Sequence, residues 1–208
     1  MTPLLVLFDV DGTLFLTHDP LLGRALRETL GKRYGVELPE DALERVDHEG
    51  QTSLRIARLV LRDAGLGEPD LGSWCAEFAN RYLELLREAD TSRWRAAPSA
   101  EEALERLEAA GHRLALLTGN PEPVARARLE RLGLARHFAA GQGAFGCERE
   151  ARGELIALAR VRAGDWPADR TVEVGDTAVD VSSAEEAGIR SLRVGSGAGL
   201  AHVVAQLG

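Results

Sequence analysis

Five consecutive apolar residues, Leu4-Leu5-Val6-Leu7-Phe8, run without a polar break into Asp9-Val10-Asp11-Gly12-Thr13. A strand that is apolar on both faces belongs in a sheet covered on both sides. Asp-Gly is a turn signal that stops such a strand. The chain therefore sets two carboxylates at the end of a buried strand. Three comparable runs follow: Leu114-Ala115-Leu116-Leu117 before Thr118-Gly119-Asn120-Pro121, Thr171-Val172-Glu173-Val174 before Gly175-Asp176, and Ile189 to Val194 between glycines. A weaker strand is expected near Phe138-Ala139-Ala140.

Helical patterns separate these runs. Ser99 and Glu102 have capping-box spacing, Leu104 and Leu107 continue at helical intervals, and Gly111 supplies a stop. The same grammar recurs from Pro121 to Gly133, over 152–163 before Gly164, and over 178–187 before Gly188. Strands alternating with helices of this length predict an α/β fold, a doubly wound, mainly parallel, Rossmann-like sheet.

The interval between the first two strands breaks the alternation. From about 15 to 95 only helical periodicity is visible. Trp74, Phe78, Tyr82 and Leu85 form one stripe, while Leu54, Ala57 and Leu61 form another. Stripes of this kind are packing faces. The expected organisation is a core built from residues 1–14 and 96–208, with an inserted α-helical cap over 15–95 that folds on its own small core.

Composition narrows the function classes. The 208 residues are 45% hydrophobic and 28% charged, as in an ordinary globular chain. The net charge of −8 leaves no cationic excess for a nucleic acid or an anionic membrane. The N-terminal apolar run has no basic segment before it and is too short for a signal core or a membrane span, so a cytoplasmic location is expected. No obligate protein partner is evident. Cys75 and Cys147 have no CxxC partner; two buried thiols are the expectation, with a disulfide between them left open. There is one lysine, Lys32, against 24 arginines, and only two asparagines, Asn80 and Asn120. Such a bias fits GC-rich coding or heat adaptation, in which thermolabile amides are depleted.

Ligands in open parallel sheets bind beyond the carboxyl ends of the strands. At that edge the pattern sets Asp9 and Asp11, Thr118-Gly119-Asn120, and Asp176 with Asp180 one turn into the next helix. Four converging carboxylates repel one another unless a cation holds them, and an oxygen-only donor set suits Mg²⁺ rather than Zn²⁺. His18, His48, His112, His137 and His202 form no metal-ligand motif. The glycines of Gly141-Gln142-Gly143-Ala144-Phe145-Gly146 spell GxGxxG but lead into Cys147-Glu148-Arg149-Glu150 instead of an apolar helix. They are read as loop-shaping, not as a dinucleotide site.

Taken in order, DVDGT at 9–13, a helical insert, LLTGN at 116–120, a basic residue near 150 and VGDTAVD at 174–180 resemble the haloacid dehalogenase superfamily. The match is to its phosphoglycolate-phosphatase-like branch, which carries a helical cap. The resemblance implies Asp9 as a nucleophile that forms an aspartyl-phosphate, and Asp11 as general acid and then base. An aspartate two residues after the nucleophile marks a phosphatase and not a carbon–halogen hydrolase. Thr118, Gly119 and Asn120 are implied to hold phosphoryl oxygens. Mg²⁺ is implied on Asp9, the Asp11 carbonyl and Asp176, with Asp180 direct or through water. The substrate implied is a small phosphorylated metabolite.

The superfamily usually places a lysine between the second and last motifs, as a fixed cation for the phosphoryl group. Lys32 lies before the second motif and cannot fill that place. Arg152 is the first candidate and Arg149 the second. Arginine can grip two oxygens with its planar fork and does not lose its proton. The candidate cap groups over the site are the flap from Phe15 to His18, the loop His48-Glu49-Gly50-Gln51-Thr52-Ser53, and Arg55, with plain surface exposure the alternative for each side chain. Two other readings stay open: a phosphosugar mutase of the same fold, and a phosphate-ligand binding protein without turnover.

Overall fold

The computed structural model describes residues 2–195 and 199–207. Five parallel strands form one sheet, β1 (Leu5–Phe8), β2 (Arg113–Thr118), β3 (Ala144–Phe145), β4 (Thr171–Gly175) and β5 (Arg190–Arg193), in the order β3-β2-β1-β4-β5. The doubly wound α/β class read from the alternation is the one observed. Successive side chains of a strand face opposite sides, and β1 shows why its run had to be apolar throughout. Val6 and Phe8 join Leu104, Leu116, Val174 and Val203 in one core layer. Leu5 and Leu7 join Ala115, Leu117, Leu155, Ile156 and Ala184 in the other. Those layers bring in α4 (Ala100–Ala109), α5 (Glu122–Arg131) and α8 (Ala201–Leu207) on one face, and α6 (Arg152–Arg162) and α7 (Ala178–Glu186) on the other.

Between β1 and α4 the chain forms α1 (Pro20–Tyr34), α2 (Ser53–Asp63) and α3 (Trp74–Glu88). These helices share a separate core of Ala25, Leu30, Ala57, Leu61, Trp74, Phe78 and Tyr82. The Trp74 and Phe78 rings stack at 5.1 Å, and the indole N–H donates to Thr29 Oγ1 at 3.0 Å. Leu86 rather than Leu85 completes the buried stripe, because i+4 from Tyr82 stays nearer the packed face. The two segments that connect this insert to the sheet run side by side, with Leu16 N–H donating to Arg95 O and Ala97 N–H to Leu14 O.

Three expectations are corrected. The strand near 138–140 is absent: Ala135–His137 is a 3₁₀ turn, the Phe138 ring packs edge-on against Phe8, and the ladder beside β2 is taken by Ala144–Phe145. Ser99 does not form a capping box, because its backbone is left-handed (φ 56°) and its side chain caps nothing. Cys75 and Cys147 are not free thiols but a disulfide, with Cα atoms 5.9 Å apart. Spacing in sequence could not reveal this pairing, since it depends on α3 lying against the loop after β3.

Candidate active site

The site lies where β1, β2 and β4 end, at the switch point where the chain, having run outward from β1 through β2 to β3, returns to place β4 on the other side of β1. Asp9 follows β1 directly and is 6% exposed; its N–H donates to Val174 O at 2.9 Å, which ties it to β4. Asp11 sits two residues on with its side chain half exposed. The turn between them and Thr13 requires glycine: Gly12 has φ +77°, and a Cβ there would collide with the Asp176 carboxylate. Thr13 Oγ1 donates to Asp176 Oδ1 at 3.4 Å.

Thr118 closes β2, fully buried, and its Oγ1 accepts from the Asn120 backbone N–H and side-chain amide. The same Asn120 amide donates to Asp11 Oδ2. Beyond β4, Thr177 and Asp180 form a capping box at the start of α7, with Thr177 N–H donating to Asp180 Oδ2 at 2.8 Å. One Asp180 oxygen is thereby spent on the helix end, while the buried Oδ1 faces the Arg152 guanidinium.

Carboxylate oxygens of Asp9, Asp176 and Asp180 all lie within 4.8 Å of one another. Burial lifts the Asp9 carboxyl well above the ordinary range; Arg152 opposes this, and Asp180, Asp11 and Asp176 add to it. Asp176 is raised chiefly by burial and then by Asp180. An all-oxygen cluster in which the Asp9 and Asp176 carboxyls are both held above their ordinary range is a donor set that a hard divalent cation fits.

Arg152 and Arg149 are separated by the fold. Arg152 is the first residue of α6, 6% exposed, and its Nη2 lies 3.2 Å from Asp9 Oδ1 and 2.5 Å from Asp180 Oδ1. Arg149 is exposed, and its Nη1 donates to the neighbouring Glu148 carbonyl. Of these two, only Arg152 is brought to Asp9 and Asp180.

The loop 48–53 is seated on the strand ends. Ser53 N–H and Oγ both donate to Gly119 O at 2.8 Å, Leu54 N–H donates to Gly146 O, and Thr52 Oγ1 donates to Glu150 O. A groove of about 750 Å³ lined by Gln51, Arg55, Glu150, Arg152 and Ser183 reaches the cation, while neither Asp9 nor Asp176 lines it. Arg55 lies 3.7 Å from Glu150. From the flap, Phe15 is buried with its ring edge-on to Trp94.

Two side chains escaped the sequence reading. Arg128 on α5 is completely buried and lies 2.7 Å from both Asp11 Oδ1 and Asp19 Oδ2. Its position four residues after the buried Val124 was the available signal. Glu173 lies in the middle of β4, also completely buried, and burial pushes its carboxyl up to about 7. A charge inside an otherwise apolar strand was visible in the sequence, but its partner was not.

The model of the haloacid dehalogenase-like hydrolase family matches residues 4–188. A phosphoglycolate phosphatase of Mesorhizobium japonicum is 32% identical over 197 residues, which cover 93% of this chain and 83% of that protein. Another from Rhodospirillum rubrum is 34% identical, covering 90% of this chain and 77% of its own length. Among solved structures, CbbY from Rhodobacter sphaeroides in complex with phosphate superposes with a TM-score of 0.66 at 22% identity, covering 93% of this chain and 87% of that one, a likeness of fold. Fold, order of motifs and family match agree, and the chain belongs to the haloacid dehalogenase-like hydrolases.

Proposed function

We propose that this protein is a Mg²⁺-dependent phosphohydrolase that acts on a small phosphorylated metabolite through an aspartyl-phosphate on Asp9. The observation that carries the reading is Arg152: a buried guanidinium held against Asp9 and Asp180 at the strand ends, and bonded to the Leu117 carbonyl one residue before Thr118. Asp9, the Asp11 carbonyl, Asp176 and Asp180 would hold the ion, which when bound supplies positive charge against the phosphoryl oxygens.

In the first half-reaction an Asp9 oxygen attacks phosphorus. The new O–P bond forms as the ester P–O bond breaks, and Asp11 gives its proton to the departing oxygen. In the second, water attacks the aspartyl-phosphate, Asp11 takes the water proton, and Asp9 is released as carboxylate. Arg152, Thr118 and the amides of Gly119 and Asn120 hold the transferring oxygens, where fixed dipoles and charge act without reorganising. Residues 15–95 serve as a cap whose 48–53 loop shields the reaction from water. The relatives named as phosphoglycolate phosphatases favour a small phosphoacid as substrate.

No helix among the described residues is long and apolar enough to cross a membrane. We assign the protein to the cytoplasm. An oxidised Cys75–Cys147 pair there accords with heat-adapted intracellular proteins, which keep disulfides, and with the scarcity of asparagine.

The test is hydrolysis of p-nitrophenyl phosphate and of alkyl phosphates with and without Mg²⁺. Asp9→Asn should abolish turnover. Asp11→Asn should cost alkyl phosphates at least about tenfold more than the aryl ester, whose leaving group needs no proton. No Mg²⁺-dependent hydrolysis of any ester, or equal losses for both ester types, would count against the mechanism.

A further inference from the structure

We propose that Glu173 is a positioning residue for Arg152, the buried acceptor that lets an arginine serve as the phosphate-anchoring cation in this chain. The inference rests on the phosphohydrolase reading of the site and adds a residue to it.

Glu173 pairs in register with Leu7 of β1, and its neighbours Val172 and Val174 point to the opposite face. It therefore sits in the layer of Leu5, Leu7 and Leu117, where a carboxylate adds nothing to apolar packing. One Glu173 oxygen accepts from Arg152 Nε at 3.1 Å, and the other has no partner. A half-satisfied buried carboxylate is costly to the fold, so its place needs a reason outside packing.

Arg152 supplies that reason. Its guanidinium has three nitrogens, and each is engaged differently. Nε meets Glu173; Nη2 meets Asp9, Leu117 O and Asp180; Nη1 lies 3.3 Å from Gly50 O in the seated loop. Because the group is planar, fixing Nε fixes the plane and directs both Nη groups toward the nucleophile and the loop. A lysine has no equivalent of Nε. Its single ammonium would be drawn toward whichever carboxylate is nearest, Glu173 included.

This difference makes the pair testable by exchange. Arg152→Lys, Glu173→Leu, Glu173→Gln and the double variant Arg152→Lys/Glu173→Leu are compared by kcat and KM on p-nitrophenyl phosphate with Mg²⁺, each checked for folding by circular dichroism and thermal melting. Glu173→Leu is expected to lower kcat/KM by roughly 10- to 100-fold, and Glu173→Gln, which keeps an oxygen acceptor for Nε, by less. The double variant is expected to be at least about tenfold more active than Arg152→Lys alone, since removing Glu173 frees the lysine to face Asp9. A merely structural glutamate would not produce that rescue.

Glu173→Leu within about twofold of the parent, or a double variant no better than Arg152→Lys, would overturn the proposal. Should Glu173→Leu fail to fold, a Glu173→Gln variant as impaired as Arg152→Lys would overturn it equally. If the parent itself hydrolyses no ester, the enzymatic reading fails separately. The positioning claim is then read from calorimetric titration with inorganic phosphate, with the same order of variants expected.

Discussion

Arg128 and Asp11, 117 residues apart in the chain, meet through a 2.7 Å ion pair whose guanidinium is completely buried. The same group bonds Asp19, the N-cap of α1, and the Tyr82 hydroxyl of α3, and its carbon lies 4.8 Å from the Phe15 ring centroid. One arginine thus joins the acid–base candidate, the entry to the insert and the insert's own core. Removing it would leave Asp19, whose side chain is 1% exposed, as a buried carboxylate short of its counter-charge. Arg128→Met is expected to lower unfolding free energy by about 3–5 kcal/mol, the usual cost of breaking a buried pair from one side. Arg128→Met/Asp19→Asn should recover part of that loss. Urea denaturation of the parent, Arg128→Met, Asp19→Asn and the double variant checks it, and additive losses would show that the two side chains do not act as a pair.

The sheet and the gathering of carboxylates at its edge were legible because they rest on local physics. A strand buried on both faces must be apolar, and the polar residue that ends it must lie at the ligand edge. Asp9, Thr118 and Asp176 follow from that rule alone. Arg128, Glu173 and the disulfide were not legible, since each takes its meaning from a partner far along the chain: 117 residues for Arg128, 72 for the cysteines. A charge at a core position can be seen in a sequence; what it faces cannot. The weak strand near 138–140 failed for the same reason, because Phe138 was claimed by Phe8 rather than by the ladder.

Gly119 is where the insert rests on the core. Its carbonyl accepts two hydrogen bonds from Ser53, and a Cβ at this residue would strike the Gln51 carbonyl. Gly119→Ala is therefore expected to keep the fold but unseat the 48–53 loop, lowering kcat/KM by roughly 100-fold, the scale of a 1 Å misplacement. Steady-state kinetics with a melting-temperature control decide the matter. Unchanged kinetics would mean that this seating is not needed for turnover.

The three aspartates make metal and pH act together on stability. Asp9 and Asp176 both have carboxyls raised above their ordinary values, so the folded protein holds those protons more tightly than the unfolded chain does. The stability they contribute is full below the unfolded carboxylate range and is lost as pH rises through the raised folded values. Metal-free protein should therefore melt at a higher temperature near pH 5 than near pH 7.5, as far as this cluster is concerned. Mg²⁺ bound to the ionised carboxylates should raise the melting temperature most at the higher pH. Asp180→Asn, with one fewer negative charge, should reduce both effects. Scanning calorimetry at the two pH values, with and without Mg²⁺, measures them; a metal response that does not change with pH would place the ion elsewhere.

The disulfide joins α3 of the insert to the loop between β3 and α6, only five residues before Arg152. It closes a segment that spans 72 residues of sequence, and in the chain-entropy account a loop of that size stabilises the folded state by about 4 kcal/mol. Cys75→Ser/Cys147→Ser should be less stable by up to about that amount, and a reducing agent should lower the melting temperature of the parent but not of the double variant. The bridge also ties the insert to the core near the cation, so it restricts how far the two can part. If release of that restraint opens the site, the reduced protein should show a higher KM for small phosphate esters and greater proteolytic cleavage in 48–53. Melting curves, kinetics and limited proteolysis on oxidised and reduced protein test both claims, and identical behaviour of the two forms would deny the bridge any part in holding the insert down.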